Sequence, residues 1–173
     1  MKLDTAFYQR SCLDVAKDLV GKLLVHSTPN GELRLRIAET EAYCGEEDTA
    51  CHAHKGKTNR TEVLYAKAGT IYVYLCYGVH WLLNVVTGEE GHPEAVLIRA
   101  CVDAMGPGKL TKALGITGEL NRKNITDSIL WIEDDGFQCD ITLDKRVGIG
   151  YASQEDQDRL WRFKMCDKGR HCE

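Results

Sequence analysis

The chain has 173 residues, 43% of them hydrophobic and 28% charged, with a formal net charge of −4. That mixture suits a single folded domain, residues 1–173, able to bury its own core. It excludes a low-complexity or repeat protein, and no apolar run reaches membrane-spanning length. The start, MKLDTAFYQR, lacks the apolar stretch of a secretory signal, so a cytoplasmic protein is expected. An acidic balance argues mildly against nucleic acid as a partner, because affinity for DNA comes largely from cations neutralising phosphates. Binding needs only one basic face, however, and Lys55, Lys57, Arg60 and Lys67 cluster while acids gather at 133–135 and 155–158.

Ser11 with Asp14 resembles a helix-capping box, Leu13, Ala16, Leu19 and Val20 suit one helix face, and Gly21 is a stop. KLLVH reads as a strand and TPNG as the turn that reverses it. From Leu33 the pattern alternates strictly through LRLRIAETEAY. TIYVYLCYG, HWLLNVVTG and EAVLIRACV follow as further strands, separated by glycine-containing turns. Residues 107–120 read as a helix, 121–145 as a loop with short strands, RVGIGY as a strand and 153–160 as a polar helix. Many neighbouring strands with few helices indicate an α+β fold: a curved, mainly antiparallel sheet, partly open and barrel-like, flanked by helices. No glycine-rich phosphate loop is present.

Eight cysteines raise the question of redox and metal chemistry. There is no CxxC pair, and Cys51, His52 and His54 are spaced poorly for a common metal. Cys76 and Cys101 sit in apolar strands, where a thiol acts as a small hydrophobe. Reduced thiols and no metal are therefore expected.

The strand at 33–43 carries the chemistry. Alternation places Leu33, Leu35, Ile37, Glu39, Glu41 and Tyr43 on one side, with Arg34, Arg36 and Thr40 on the solvated side. A carboxylate directed at a core is costly unless it is paired or useful; the plain alternative is a strand end fraying into water. Arg99 interrupts AVLIRACV and Asn84 interrupts WLLNVV, and buried polar groups need partners. An arginine there can pair with a carboxylate for structure alone, or take part in chemistry. Tyr43, Tyr72, Tyr74 and Tyr77 add aromatic faces, which as single residues suit ordinary strand packing. Together a buried acid, a guanidinium and aromatic rings suit hydrolysis at a flat heterocycle.

The run from RIAETEAY through DTACHAH and YVYLCYG to AVLIRA, residues 36–100, resembles the core of the alkyladenine (3-methyladenine) DNA glycosylase family. FYQRSCLDVAKDLVGKLLV, RVGIGYA and WRF match more loosely, and the ending KMCDKGRHCE differs from the family's. The resemblance implies a monofunctional N-glycosylase that needs no cofactor. Its partner would be double-stranded DNA containing a damaged purine, and it would act as a monomer. Glu41 would activate water, with Arg99 and the Val147 carbonyl helping to hold it. Tyr43, His52 and Tyr74 would sandwich the flipped base, and Asn84 would exclude purines with a 2-amino group. Tyr77, beside Gly78, would fill the gap in the duplex, and Lys55, Lys57 and Arg60 would meet phosphates. An N-glycosidase for nucleosides or RNA, and a catalytically silent DNA-binding relative, are the competing expectations.

Overall fold

A computed structural model describes residues 1–166 of the chain. Two short helices open it. In α1 (Thr5–Tyr8), the Asp4 carboxylate accepts from the Phe7 N–H. In α2 (Cys12–Leu19), the Ser11 hydroxyl accepts from the Asp14 N–H, the expected cap. The buried face of α2 is Cys12, Val15, Ala16 and Leu19, with Leu13 only partly covered. The expected stripe is thus turned slightly about the helix axis.

The strands are β1 (Leu23–Thr28), β2 (Gly31–Cys44), β3 (Ile71–Cys76), β4 (His80–Thr87), β5 (Glu94–Cys101), β6 (Leu130–Glu133), β7 (Ile141–Asp144) and β8 (Arg162–Met165). All pair antiparallel in one sheet of order β3-β4-β5-β2-β1-β6, with β8 joining β2 to β7. The α+β expectation of a curved antiparallel sheet is met. The curvature has a local cause in β2, whose first half pairs with β1 and whose second half pairs with β5 and β8. Register shifts fall between Ile37 and Glu39 and between Glu39 and Thr40. Bulges of this kind bend a strand and increase its twist.

Those shifts also correct the facing drawn from strict alternation. Leu33 is 41% exposed. Thr40, expected in solvent, is buried and donates its hydroxyl to the Ala16 carbonyl at 2.6 Å. The two faces of β3, β4 and β5 have separate tasks. Ile71, Val73, Leu83, Val85, Val96 and Ile98 join Leu19 of α2 and Leu110 and Leu114 of α3 (Pro107–Leu114) in the main core. The other face is left for a cavity.

Three expected elements differ. The helix at 107–120 stops at Leu114, because Gly115 takes the left-handed conformation (φ 67) and closes the end. A separate 3-10 turn follows at Gly118–Leu120. RVGIGY is a bend and turn rather than a strand, with Gly148 at φ 74. The polar helix is short, α4 (Gln154–Asp158), and WRFKM ends in β8.

The expectation of reduced thiols throughout is corrected: Cys12 and Cys44 form a disulfide, their Cα atoms 6.3 Å apart. Helix α2 packs on β2, which brings its first residue to the strand's last. Cys51, Cys76, Cys101 and Cys139 are free, whereas Cys172 and the divergent ending beyond residue 166 lie outside the described residues. Among those residues no three His, Cys, Asp or Glu converge as metal ligands. His54 turns its Nδ1 to the Glu46 carbonyl at 2.7 Å, and no helix is long and apolar enough to cross a membrane.

Candidate active site

Strand register builds the site. Glu41 of β2 stands opposite Leu97 of β5, Leu97 opposite Asn84 of β4, and Asn84 opposite Tyr72 of β3. Directly opposed residues share a face, and residues two apart share it too. Tyr43, Ala95, Arg99, Leu82 and Tyr74 therefore extend the same wall. All of them line a cavity of about 650 Å³, a volume typical of small-molecule sites. Loops complete it with Cys51, His52 and Arg60 on one segment, Val147 to Ile149 and Tyr151 on another, and Gly106 to Lys109 at the start of α3.

Glu41 has no solvent exposure. Its Oε1 accepts from the Tyr43 hydroxyl at 3.2 Å and its Oε2 from the Val147 N–H at 2.7 Å. Arg99 Nη1 lies 3.6 Å from Oε1. Burial raises the Glu41 carboxyl above the usual carboxylate range, against the opposing pull of Arg99, the Val147 N–H and Tyr43. The result is an oriented carboxylate whose basicity exceeds that of a solvated one. Glu39 takes a different course: it pairs with Arg162 at 3.3 Å and does not line the cavity.

The aromatic wall is continuous. The His52 and Tyr74 rings lie 4.7 Å apart, and Tyr72 lies 5.3 Å from Tyr74. Asn84 is buried, and its Nδ2 donates to the Tyr72 carbonyl at 3.2 Å. Behind Tyr43 the Arg146 guanidinium sits 5.0 Å from the ring centroid. It is fully buried and forked onto Asp48 at 2.6 and 3.0 Å. Because Arg146 precedes Val147, this pair anchors the loop whose N–H meets Glu41. Arg146 carries no alternation signal because it lies in a loop. Tyr72 was legible by its spacing from Tyr74.

The DNA-facing candidates separate. Tyr77 is 94% exposed and adopts φ 52, followed by Gly78 at φ 66. With the Val79 N–H bonded to the Cys76 carbonyl at 3.1 Å, these two residues form a tight hairpin tip between β3 and β4. Positive φ is strained for tyrosine, and no burial of the exposed ring offsets it. Lys55 and Lys57 are exposed, and Lys57 lies 5.5 Å from the Tyr65 ring centroid. Arg60 is exposed and lies against the aromatic wall: its Nε donates to the Tyr72 hydroxyl at 3.1 Å and its guanidinium carbon lies 5.0 Å from the Tyr74 ring. The acids at 133–135 are engaged by Trp131, Arg34, Lys22 and Arg36, away from the cavity.

The chain is similar to known proteins along nearly its whole length. The family model described as methylpurine-DNA glycosylase matches residues 6–104 and 103–169. A protein of Natranaerobius thermophilus is 44% identical over 192 aligned residues, covering 96% of each chain. One of Methanocella arvoryzae is 44% identical, covering 96% of this chain and 92% of its own. One of Borreliella afzelii is 40% identical, covering 93% and 94%. All three are named, provisionally, as 3-methyladenine DNA glycosylases. Matched over both halves, with the acid, guanidinium and aromatic wall that its motifs imply gathered in one cavity, this chain belongs to the methylpurine-DNA glycosylase family.

Proposed function

We propose that the protein is a monofunctional DNA N-glycosylase that extrudes a damaged purine from the duplex and hydrolyses its bond to C1′. The observation that carries this reading is the Glu41 carboxylate, fully buried at the floor of an aromatic cavity and oriented by Tyr43, Val147 and Arg99. Stacked bases are out of reach of any active site. Extrusion costs a few kcal/mol, least for damaged or mispaired bases. Tyr77 fills the space left behind, as apolar and aromatic wedges do in kinked DNA. Tyr43, His52 and Tyr74 take the extruded base, and a purine alkylated on a ring nitrogen is cationic, which rings attract.

Glu41 accepts a proton from water as the water attacks C1′, and its charge stabilises the oxocarbenium-like transition state. Arg99 and the Val147 carbonyl hold the water, and Asn84 excludes a 2-amino group. A cationic alkylpurine leaves as the neutral base without an acid, whereas hypoxanthine and ethenoadenine need their departure assisted. Lys55 and Lys57 meet the phosphates. We take the partner to be double-stranded DNA in the cytoplasm, bound by a single copy of the chain. Lys109 lines the cavity but is exposed at the start of α3, so we assign it no Schiff-base role.

The test is incubation with duplexes holding 3-methyladenine, hypoxanthine or ethenoadenine, with chromatography of the released base and borohydride trapping of any covalent complex. Free base without a trapped adduct is expected. If no lesion is released the proposal fails, and a trapped adduct overturns the monofunctional assignment. Release from nucleosides or RNA but not from duplex DNA favours the N-glycosidase alternative.

A further inference from the structure

The two hydrogen bonds on Glu41 come from donors that one buried ion pair ties together. Oε1 accepts from the Tyr43 hydroxyl and Oε2 from the Val147 N–H. Arg146, next to Val147 in the chain, donates through Nη1 to the Ala42 carbonyl at 3.0 Å, and Ala42 lies between Glu41 and Tyr43. The same guanidinium sits between two rings, 5.0 Å from the Tyr43 centroid and 4.9 Å from that of Trp161. Its partner Asp48 reaches the end of β2 as well. Asp48 Oδ2 accepts from the Cys44 N–H and Oδ1 from the Ala50 N–H, each at 3.0 Å. The Asp48 carbonyl accepts from the Cys51 N–H at 2.9 Å, which sets the turn that leads into His52. The end of β2, the segment 48–52 and the loop 146–149 thus meet at one buried pair.

We propose that Arg146 and Asp48 are positioning residues of the active site, which together fix both donors that aim the Glu41 carboxylate. The inference rests on the glycosylase reading for the reaction it serves, though not for its geometry. Neither residue lines the cavity, so the pair acts through others. Stability alone gives little reason for it. The two side chains are 0% and 1% exposed, and desolvating two charges offsets most of what their attraction returns. Apolar residues of the same volume commonly serve a core as well or better. What they lack is direction.

A guanidinium is a planar, rigid fork of donors. Here it reaches both Asp48 oxygens, the Ala42 carbonyl and, at 3.3 Å, the Asp156 carbonyl. Because Asp48 matches the Arg146 charge, the effect on Glu41 is one of geometry. The charges that pull on that carboxyl are those of Arg99 and Arg162. If the Val147 N–H or the Tyr43 hydroxyl drifts, the carboxylate loses its aim at the attacking water. A misplacement of about 1 Å costs on the order of 100-fold in rate.

The experiment compares wild type with a double variant, Asp48→Asn with Arg146→Met, which leaves no uncompensated charge in the core. The first readout is the Val147 amide proton in a proton–nitrogen correlation spectrum, at a pH where Glu41 is ionised. A carboxylate acceptor makes a strong, short hydrogen bond and moves that proton downfield; Glu41→Gln calibrates the shift. In the double variant the resonance is expected to move upfield by at least half of the Glu41→Gln change. The amides of Val85 and Ile98, in the sheet, should stay in place and show that the variant is folded. The second readout is single-turnover base release at saturating enzyme, expected to fall about 100-fold while lesion duplex stays bound. Leu130→Ala, fully buried in β6 and away from the cavity, destabilises by leaving a void and should release base at the wild-type rate. A Val147 amide that keeps its wild-type position in the double variant overturns the proposal, as does wild-type release by that variant. An equal loss in Leu130→Ala also overturns it, because rate would then follow stability instead of position. If wild type releases no base, the glycosylase reading fails, and the amide readout still decides whether the pair places the donor.

Discussion

Tyr77 offers a test in which stability and activity should move in opposite directions. Its ring is 94% exposed, so burial returns almost nothing, while its backbone is held at φ 52. A non-glycine residue in the left-handed region costs roughly 1–2 kcal/mol. Asparagine tolerates that region far better. Tyr77→Asn is therefore expected to stabilise the protein by about 1 kcal/mol, a rise in melting temperature of about 2–4 °C for a chain of this length. If the ring fills a gap in the base stack, its loss removes about 1–3 kcal/mol of stacking, or roughly 5- to 150-fold in rate. Thermal melting and single-turnover base release read the two effects separately. Release should fall most for stably paired lesions and least for poorly paired ones. A lower melting temperature would refute the strain argument. Unchanged release, or equal losses on both kinds of lesion, would refute the wedge.

Burial raises the Glu41 carboxyl, so its charged form costs the fold stability. The stability linked to this group is complete below the unfolded value, about 4.3, and is lost as pH rises through the raised one. The acid limb of the pH–rate profile is accordingly expected above an ordinary carboxylate's, and Arg99→Met should move it further up; a limb at the solvated value contradicts the account. Arg146 and Asp48 are buried together, with side chains 0% and 1% exposed. Arg146→Met, leaving Asp48 uncompensated, should cost about 3–5 kcal/mol in urea unfolding, with part recovered in the double variant with Asp48→Asn. A loss below about 1 kcal/mol would fit only a solvated pair. The Cys12–Cys44 bond spans 32 residues, for which the chain-entropy model gives about 3–4 kcal/mol. Without reductant Cys12→Ser should melt below wild type, and reductant should narrow that gap; a variant that melts with wild type in the absence of reductant would contradict the bond's contribution.

What the sequence made legible followed from period-two patterning. The strands at 71–76, 80–87 and 94–101 were recognisable because apolar runs bounded by glycines leave few alternatives. Glu41, Asn84 and Arg99 stood out as polar residues in apolar runs, and cross-strand register places all three beside one cavity. Thr40 was misplaced because a bulge breaks the alternation on which its facing rested. RVGIGY carries β-branched residues at strand spacing, yet Gly148 at positive φ turns it into the loop that meets Glu41. The contacts of Arg60 with Tyr72 and Tyr74 were not legible, because composition says nothing about where a flexible guanidinium ends. The disulfide joins residues far apart in sequence, and cysteine spacing alone does not reveal such a pair.

Glu41→Gln in single-turnover release of hypoxanthine from duplex DNA, with binding measured alongside, tests the role of the buried acid most directly. General-base catalysis contributes about 10²–10⁴-fold, so release should fall by about that factor while lesion DNA stays bound. A variant that binds the lesion and releases base as fast as wild type would contradict the assignment of Glu41.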